Sequence, residues 1–550
     1  MNNIEKAELI VVGGGPAGLS AALAAADYGV NVILVEEREF LGGQLVKQTH
    51  RFFGSEKEYA GTRGIDISKF LVEKIKENEN IKILTSSRVL GIYNDKIVTI
   101  LANNKMIKYS PKALILATGA SEKFLAFENN DLPGVFGAGA VQTLMNLYGV
   151  LPSKKILMVG SGNIGLIVSY QLLQAGVKVA CIIEAAPRIG GYSVHASKLA
   201  RMGVPILTSH TIKKAVGKDK VEGAIICQLD SSWREIKDTE QFIKCDAICL
   251  SVGLSPLTDL LKQANVKTSY VPELGGYIPL RDENMETSIK NLFVAGDVSG
   301  IEEATSAIIE GQIAGLNVAK RIKKDIDNQV KIEKKIAEAK DELELLRAGP
   351  VGEKVRNGLK KIGLDPLKNY GEKVSTEEFD ISFLMKTGIP SKENLKKKLP
   401  LSEDVFNKGP IAISECFQQF PCDPCVKSCP FDAISENGSI NNIPYVNFEK
   451  CTGCGICVSK CPGLAMFVVQ KNYTDSTSLV TLPYEFLPKP VKNQIVLVLN
   501  REGTEICEGT VKRVRDGKIQ DKTTVVTIEI PKEYFLEARN IKVDGGQKHG

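Results

Sequence analysis

Thirteen cysteines are spread unevenly along the 550 residues, eight of them between Cys416 and Cys461. The second half of that group reads Cys451-Thr-Gly-Cys454-Gly-Ile-Cys457-Val-Ser-Lys-Cys461-Pro462. The first half holds Cys416, Cys422, Cys425 and Cys429-Pro430; it has the same ending, but five residues instead of two separate its leading cysteine from Cys422. Thiolates clustered in this way, in a chain without a secretory start, argue for metal over disulfides. Zinc would use Cys-x2-Cys pairs as corners of tetrahedra, which leaves both Cys-Pro endings and the third cysteine of the second run unexplained. Iron-sulfur clusters use them all.

The second run is similar at every spacing to the bacterial ferredoxin motif, in which three thiolates on a tight loop cap one cubane and the fourth, before proline, reaches to the other. The resemblance implies a ferredoxin-like 2[4Fe-4S] domain over residues 406–475. One cluster is then expected on Cys416, Cys422, Cys425 and Cys461, the other on Cys451, Cys454, Cys457 and Cys429. The wide gap after Cys416 reads as a lengthened loop, since closure entropy rises slowly with length. A single surviving cluster is the alternative. Cys181, Cys227, Cys245, Cys249 and Cys507 lie in apolar or strand-like contexts, and Cys245 and Cys249 are expected in a core.

Clusters of this kind carry single electrons, and the other end of the chain offers a two-electron partner. Leu9-Ile-Val-Val12 leads into Gly13-x-Gly15-Pro16-Ala17-Gly18, an alanine-rich stretch to Tyr28, and a second apolar run from Val30 to Val35. A glycine loop between a strand and a helix N-terminus lets backbone amides hold a pyrophosphate. Glu36 stands where an acid bonds the adenosine ribose. Gly160, Gly162, Asn163, Ile164 and Gly165 repeat the pattern between Ile156–Val159 and Val177–Ile183, with Glu184 as the acid. An acid there favours the 2′-hydroxyl of NAD over the 2′-phosphate of NADP. Two readings of this second loop stand: an NAD(H) site, or a loop kept after its ligand was lost.

The intervening elements must position these loops. Segments Lys82–Leu90 and Ile97–Tyr109 alternate and predict a β-meander leading to Ala117-Thr118-Gly119; Ala247–Val252 and Leu292–Ala295, before Gly296-Asp297, predict buried strands; 302–320 predicts a helix. From Arg321 to about Leu399 the chain is lysine-rich and charged, and reads as a connector with no core of its own. Strand-like runs at 494–499, 509–514 and 523–530 predict a small β-module, and residues 545–550 a loose end. The boundaries expected are 1–120 and 247–325 for the two parts of an FAD domain, 121–246 for an NAD(H) domain, 326–405 for the helical linker and 482–545 for the β-module.

Composition agrees with several globular domains: 43% hydrophobic and 25% charged residues, with a net charge of +5. That charge is too weak and too dispersed for nucleic-acid binding. The N-terminus carries acid where a signal peptide carries base, and no apolar run reaches the ~18 residues of a membrane span. The expectation is a cytoplasmic protein without direct membrane insertion.

Gly13–Gly18 with Glu36, Ala117-Thr118-Gly119, the second loop with Glu184, and Asn291–Asp297 together resemble the FAD-dependent pyridine nucleotide-disulfide oxidoreductase superfamily over roughly residues 6–325. The resemblance implies a glutathione-reductase-like α/β architecture of two Rossmann-like domains. In it, the first loop holds FAD, Asp297 after Gly296 bonds the flavin's ribityl-phosphate region, the second loop holds the nicotinamide nucleotide, and Glu310-Gly311-Gln312 lies on the helix directed at the isoalloxazine. Gly43 and Gln44, with Thr49–Gly54, correspond to the segment beside the flavin; His50 there serves either in proton transfer or only in bonding backbone. His195 and His210 read as structural. The redox cysteine pair of the disulfide-reducing members is missing, because no cysteine precedes Cys181. The parts imply an oxidoreductase exchanging hydride between NAD(H) and FAD and passing single electrons through two clusters to or from a protein partner, with an anaerobic leaning. Arg188–His195 also looks like the FAD subunits of multi-subunit amino-acid dehydrogenases of the sarcosine, opine, proline or hydroxyproline type. On that alternative, the chain relays electrons within a hetero-oligomer whose other subunit oxidises the substrate. A scaffold whose clusters merely hold the C-terminal half together is the non-catalytic alternative.

Overall fold

A computed structural model describes residues 4–93, 97–368, 370–371, 374, 379–399 and 402–543. The ending 545–550 lies outside them. The chain forms two compact units, one within Met1–Lys123, Gly253–Val374 and Phe420–Cys422, the other within Phe124–Val252, Ser375–Gln419 and Asp423–Gly550.

In the first unit the apolar run ending at Val12 has no polar alternation because both its faces are covered. Strand Ile4–Val12 is central in a sheet ordered 81–84, 32–35, 4–12, 105–116, 98–102, 87–92, with 292–294 also pairing with 105–116. Leu9 pairs in parallel with both Val32 and Ala113. The expected meander divides here. Ile81–Leu84, following helix Gly64–Glu77, pairs in parallel with Val32–Val35, and only Ser87–Ile92, Val98–Ala102 and the start of Lys105–Leu116 run antiparallel. Both kinds of strand can alternate polar and apolar residues, so period alone does not separate them. Helix Pro16–Ala26 lies tightly on helix Ala304–Ile322: a Cβ on Gly311 would stand 2.1 Å from the Ala17 carbonyl oxygen. Helix Ile326–Ala348, inside the segment read as a connector, buries Ile332, Ile336, Leu343, Leu346 and Arg347 and packs on Ala304–Ile322.

The second unit contains a parallel sheet ordered 206–208, 178–184, 155–159, 247–250, 135–137. Cys245 and Cys249 are buried in its packing, as expected, and Cys181 is buried there too. The same unit contains an antiparallel seven-stranded sheet ordered 411–414, 466–470, 477–484, 524–531, 505–515, 495–499, 540–542. Its first two strands flank the cysteine region and the others continue them, so the C-terminal strands extend a sheet begun at Ile411–Ser414. Among the described residues, no helix is long and apolar enough to cross a membrane.

Candidate nucleotide and cluster sites

In the first loop the three glycines do different work. A Cβ on Gly13 would stand 2.3 Å from the Ala117 carbonyl oxygen, and one on Gly18 would stand 1.8 Å from that of Gly13. These two are required by packing of the turn and the helix. Gly15 differs: the nearest atom to its Cβ would be Gly43 Cα at 3.9 Å. The open side of the loop is therefore at Gly15, where a pyrophosphate must approach the amides of the helix that Pro16 and Ala17 begin. Glu36 is held facing the loop: its Oε2 accepts from Gly14 N at 2.7 Å and its Oε1 from Arg38 N at 2.9 Å. Gly43 lies against Gly15, Gln44 is exposed beside it, and the Thr118 hydroxyl, preceding Gly119, donates to Leu257 O at 3.0 Å. These residues fit the adenosine and pyrophosphate of FAD.

Asp297 sits in the 3-10 turn Gly296–Val298, and the turn is fixed by charges that spacing did not reveal. Glu310, buried, accepts from Gly296 N at 3.0 Å and the Ser299 hydroxyl at 2.7 Å with one oxygen, and from Arg281 and Arg347, each at 2.9 Å, with the other. Arg347 also grips Glu302 through two bonds of 3.0 and 2.6 Å. Burial pushes the Asp297 carboxyl up to about 7, and Glu310, Glu302 and Glu303 add to the effect. Burial also pushes Lys47, on the turn after Gly43, down to about 8. Neither Arg281 nor Arg347 belongs to a local motif; both meet Glu310 only through the fold. His50 lies beside the Phe52 ring, with centroids 5.5 Å apart.

The second loop repeats the first almost atom for atom. A Cβ on Gly160 would stand 2.2 Å from the Ser251 carbonyl oxygen and one on Gly165 2.2 Å from that of Gly160, whereas a Cβ on Gly162 meets nothing within 4 Å. Glu184 Oε2 accepts from Ser161 N at 2.8 Å and its Oε1 from Ala186 N at 2.9 Å, the counterparts of Gly14 and Arg38. Asn163 Oδ1 accepts from Tyr192 N at 2.7 Å, which ties the loop to the Arg188–His195 segment, and Ile164 is exposed. His195 is buried with its ring stacked beside Tyr192, and His210 bonds the Thr208 carbonyl at 2.8 Å; both are part of the packing.

The cysteine region contains two short helices, Pro424–Lys427 and Ile456–Lys460, each carrying the third cysteine of its run, packed together over one apolar core. The thiols of the two runs lie near one another: Cys425 is close enough to Cys461, Cys416 and Cys457 to feel their charge, and Cys457 likewise feels Cys451, Cys454, Cys461 and Cys429. Backbone amides point at sulfur: Ala412 N to Cys451 at 3.2 Å, Ala465 N to Cys461 at 3.3 Å and Ala433 N to Cys429 at 3.4 Å. Such N–H···S bonds suit thiolate ligands of iron. Burial pushes the Cys416 thiol up to about 12. Cys422 lies in the first unit, where it bridges Gly54, whose N–H donates to Pro421 O at 2.9 Å.

Comparison with known proteins agrees with this division of labour. Residues 444–467 match the 4Fe-4S binding domain model. The hydrogen cyanide synthase subunit HcnB of Pseudomonas protegens is 27% identical over 328 residues, 56% of this chain and 69% of that one. The sarcosine oxidase subunit alpha of Corynebacterium sp. (strain P-1) is 26% identical over 57% of this chain, which spans only 32% of that subunit. An NADH oxidase of Methanocaldococcus jannaschii is 25% identical over 56% of this chain and 69% of its own. Residues 7–311, more than half of the chain, match the pyridine nucleotide-disulphide oxidoreductase model; the chain belongs to that family and is an oxidoreductase whose cofactors are FAD, a nicotinamide dinucleotide and 4Fe-4S iron-sulfur.

Proposed function

We propose that the chain exchanges hydride between NAD(H), held by Gly160–Gly165 and Glu184, and FAD, held by Gly13–Gly18, Glu36, Gly43, Gln44, Thr118, Gly119 and Asp297. Single electrons then pass through two [4Fe-4S] clusters to or from a protein partner. Bound flavin takes up two electrons as hydride and gives them up singly, while each cubane carries one. The observation that carries the reading is the correspondence of the two loops, since Gly162 leaves the same open approach as Gly15 and Glu184 is held as Glu36 is. The ligand sets proposed are Cys416, Cys422, Cys425 and Cys461 for one cluster and Cys429, Cys451, Cys454 and Cys457 for the other. With no cysteine before Cys181, electrons have no disulfide near the first loop to enter, and the C-terminal thiolates are the exit. Thiolate clusters of this kind suit a reducing, anaerobic cytosol.

A second reading is favoured by the names of the relatives, two of which are subunits of larger enzymes. On it the chain relays electrons from a substrate-oxidising subunit, with the amino-acid dehydrogenases as the model. Anaerobic titration of the pure protein with NADH, following flavin absorbance and freezing samples for EPR, separates the two. Flavin bleaching followed by two interacting cluster signals supports direct NADH oxidation. A flavin that stays oxidised with NADH but is reduced by dithionite overturns it in favour of the relay.

A further inference from the structure

The C-terminal sheet has no part in either nucleotide site, yet its strand Glu505–Arg515 ends on the second cysteine run. Arg515 Nη1 donates to the Cys454 carbonyl at 2.5 Å. Its other terminal nitrogen lies against Gly455: a Cβ there would stand 2.3 Å from Nη2. Among the described residues Arg515 has no carboxylate partner, and its buried Nε has no hydrogen-bond acceptor. Neighbouring Asp516 is engaged elsewhere, by Lys489 at 2.6 Å. A partly buried guanidinium held against a loop of three cysteines, with no acidic partner among the described residues, is a positive charge fixed beside that loop.

We propose that the C-terminal sheet sets the reduction potential of the cluster on Cys429, Cys451, Cys454 and Cys457, with Arg515 as the residue through which it acts. The inference rests on the two-cluster reading above. On reduction one electron enters the cluster, no bond breaks and no proton is required; the added negative charge lies beside the Arg515 cation and is stabilised by it. Charge and hydrogen bonding around the sulfurs are known levers on cluster potential. The first run has a different environment: Glu415, next to Cys416, is buried between Arg501 and Arg539, one carboxylate shared by two guanidiniums, and Arg201 and Lys198 also act on Cys461. The sheet therefore brings cations to both runs: Arg515, without a carboxylate partner among the described residues, to the second, and the Arg501–Glu415–Arg539 network to the first.

The test is an EPR-monitored redox titration of the full-length protein with dithionite and mediators, on wild type, R515M, R515Q and R513M, each with iron and sulfide counted first. R515M removes charge and hydrogen bond; R515Q keeps a donor for the Cys454 carbonyl without the charge; Arg513 is an exposed cation on the same strand. Both R515M and R515Q are expected to lower the one-electron reduction constant of one centre about tenfold, about 59 mV, leaving the other centre and R513M unmoved. Wild-type potentials in an iron-replete R515Q overturn the proposal, as does loss of half the iron from both Arg515 variants, which would make the contact purely structural. Iron and sulfide for only one cluster in the wild type would instead overturn the two-cluster reading itself.

Discussion

Gly162→Ala tests the nicotinamide site proposed at the second loop. Gly162 caps helix Asn163–Gln174 with φ −65° and ψ 170°, a conformation alanine adopts freely, and its new methyl would meet nothing within 4 Å. Two small effects on stability oppose each other. Restricting the unfolded chain gains about 0.4–1 kcal/mol, and replacing glycine by alanine at a helix N-cap loses a comparable amount. The fold is expected to stay within about 1 kcal/mol of wild type. Binding of NADH is different, because the methyl fills the space through which a pyrophosphate reaches the helix amides. Loss of one charge-assisted hydrogen bond costs about 1.5–3 kcal/mol, which at 1.4 kcal/mol per decade weakens NADH about 10- to 150-fold. The FAD loop lies in the other unit and is untouched. The assay is anaerobic stopped-flow bleaching of the flavin over a range of NADH concentrations, with thermal melting and flavin content measured on the same samples. Gly165→Ala is the counter-example: its Cβ would stand 2.2 Å from the Gly160 carbonyl oxygen, so it should lower the melting temperature as well. A G162A protein that bleaches with wild-type affinity, or that loses FAD, would refute the assignment of this loop.

Arg347→Met leaves Glu302 buried without its cation and Glu310 with Arg281 alone, and a broken buried pair of this kind costs about 3–5 kcal/mol; urea unfolding should show the loss, together with weaker FAD retention because Glu310 anchors the Gly296–Val298 turn. In flavin-stripped protein the Asp297 carboxyl, pushed up to about 7, holds a proton that the unfolded chain releases near pH 4, so its contribution to stability is greatest below that value and declines as pH rises to about 7. D297N should flatten that decline; equal slopes between pH 5 and 8 for both proteins would show the carboxyl to be unperturbed. Glu184→Ala removes the acceptor offered to the ribose, and should narrow the preference for NADH over NADPH in steady-state dye reduction; an unchanged ratio would deny Glu184 that role. Cys422→Ser tests the lengthened loop: iron content should fall to about half of wild type if Cys422 is a cluster ligand, and a full iron complement would remove it from the ligand set.

The sheets and loops were legible in the sequence where local chemistry decides the structure. Gly13, Gly15 and Gly18 with Glu36, and their counterparts at Gly160–Gly165 with Glu184, need only a strand, a tight turn and a helix start, all contiguous. What spacing did not disclose is which glycine faces ligand and which faces protein: Gly15 and Gly162 read the same as Gly18 and Gly165 until the Ala117, Ser251 and neighbouring carbonyls are placed. The limits were sharper for charge. Residues 321–347 read as a solvated charged helix because hydrophobic periodicity there is diluted by lysine and glutamate, yet Arg347 is buried and bonded to a glutamate 37 positions earlier. Arg515, just past the run expected as a strand at 509–514, carried no local signal of its partner, a carbonyl 61 positions earlier.

Those two arginines differ in burial: Arg347 is buried, whereas Arg515 is partly exposed. Burying a guanidinium is costly unless a fixed partner receives it, so a buried arginine marks a place where the fold requires a positive charge. Arg347 meets Glu302 and Glu310, whose acids hold the turn that carries Asp297; its charge is balanced within the protein and its work is positional. Arg515 finds only a carbonyl and thiols. If the protein alone were to be stabilised, the equivalent of a Glu302 beside Arg515 would be the cheaper solution, and Asp516, one residue away, faces Lys489 instead. Arg515 is partly exposed, so solvent meets part of its charge, and a thiolate-ligated cluster on the Cys451–Cys457 loop that gains an electron would meet the rest.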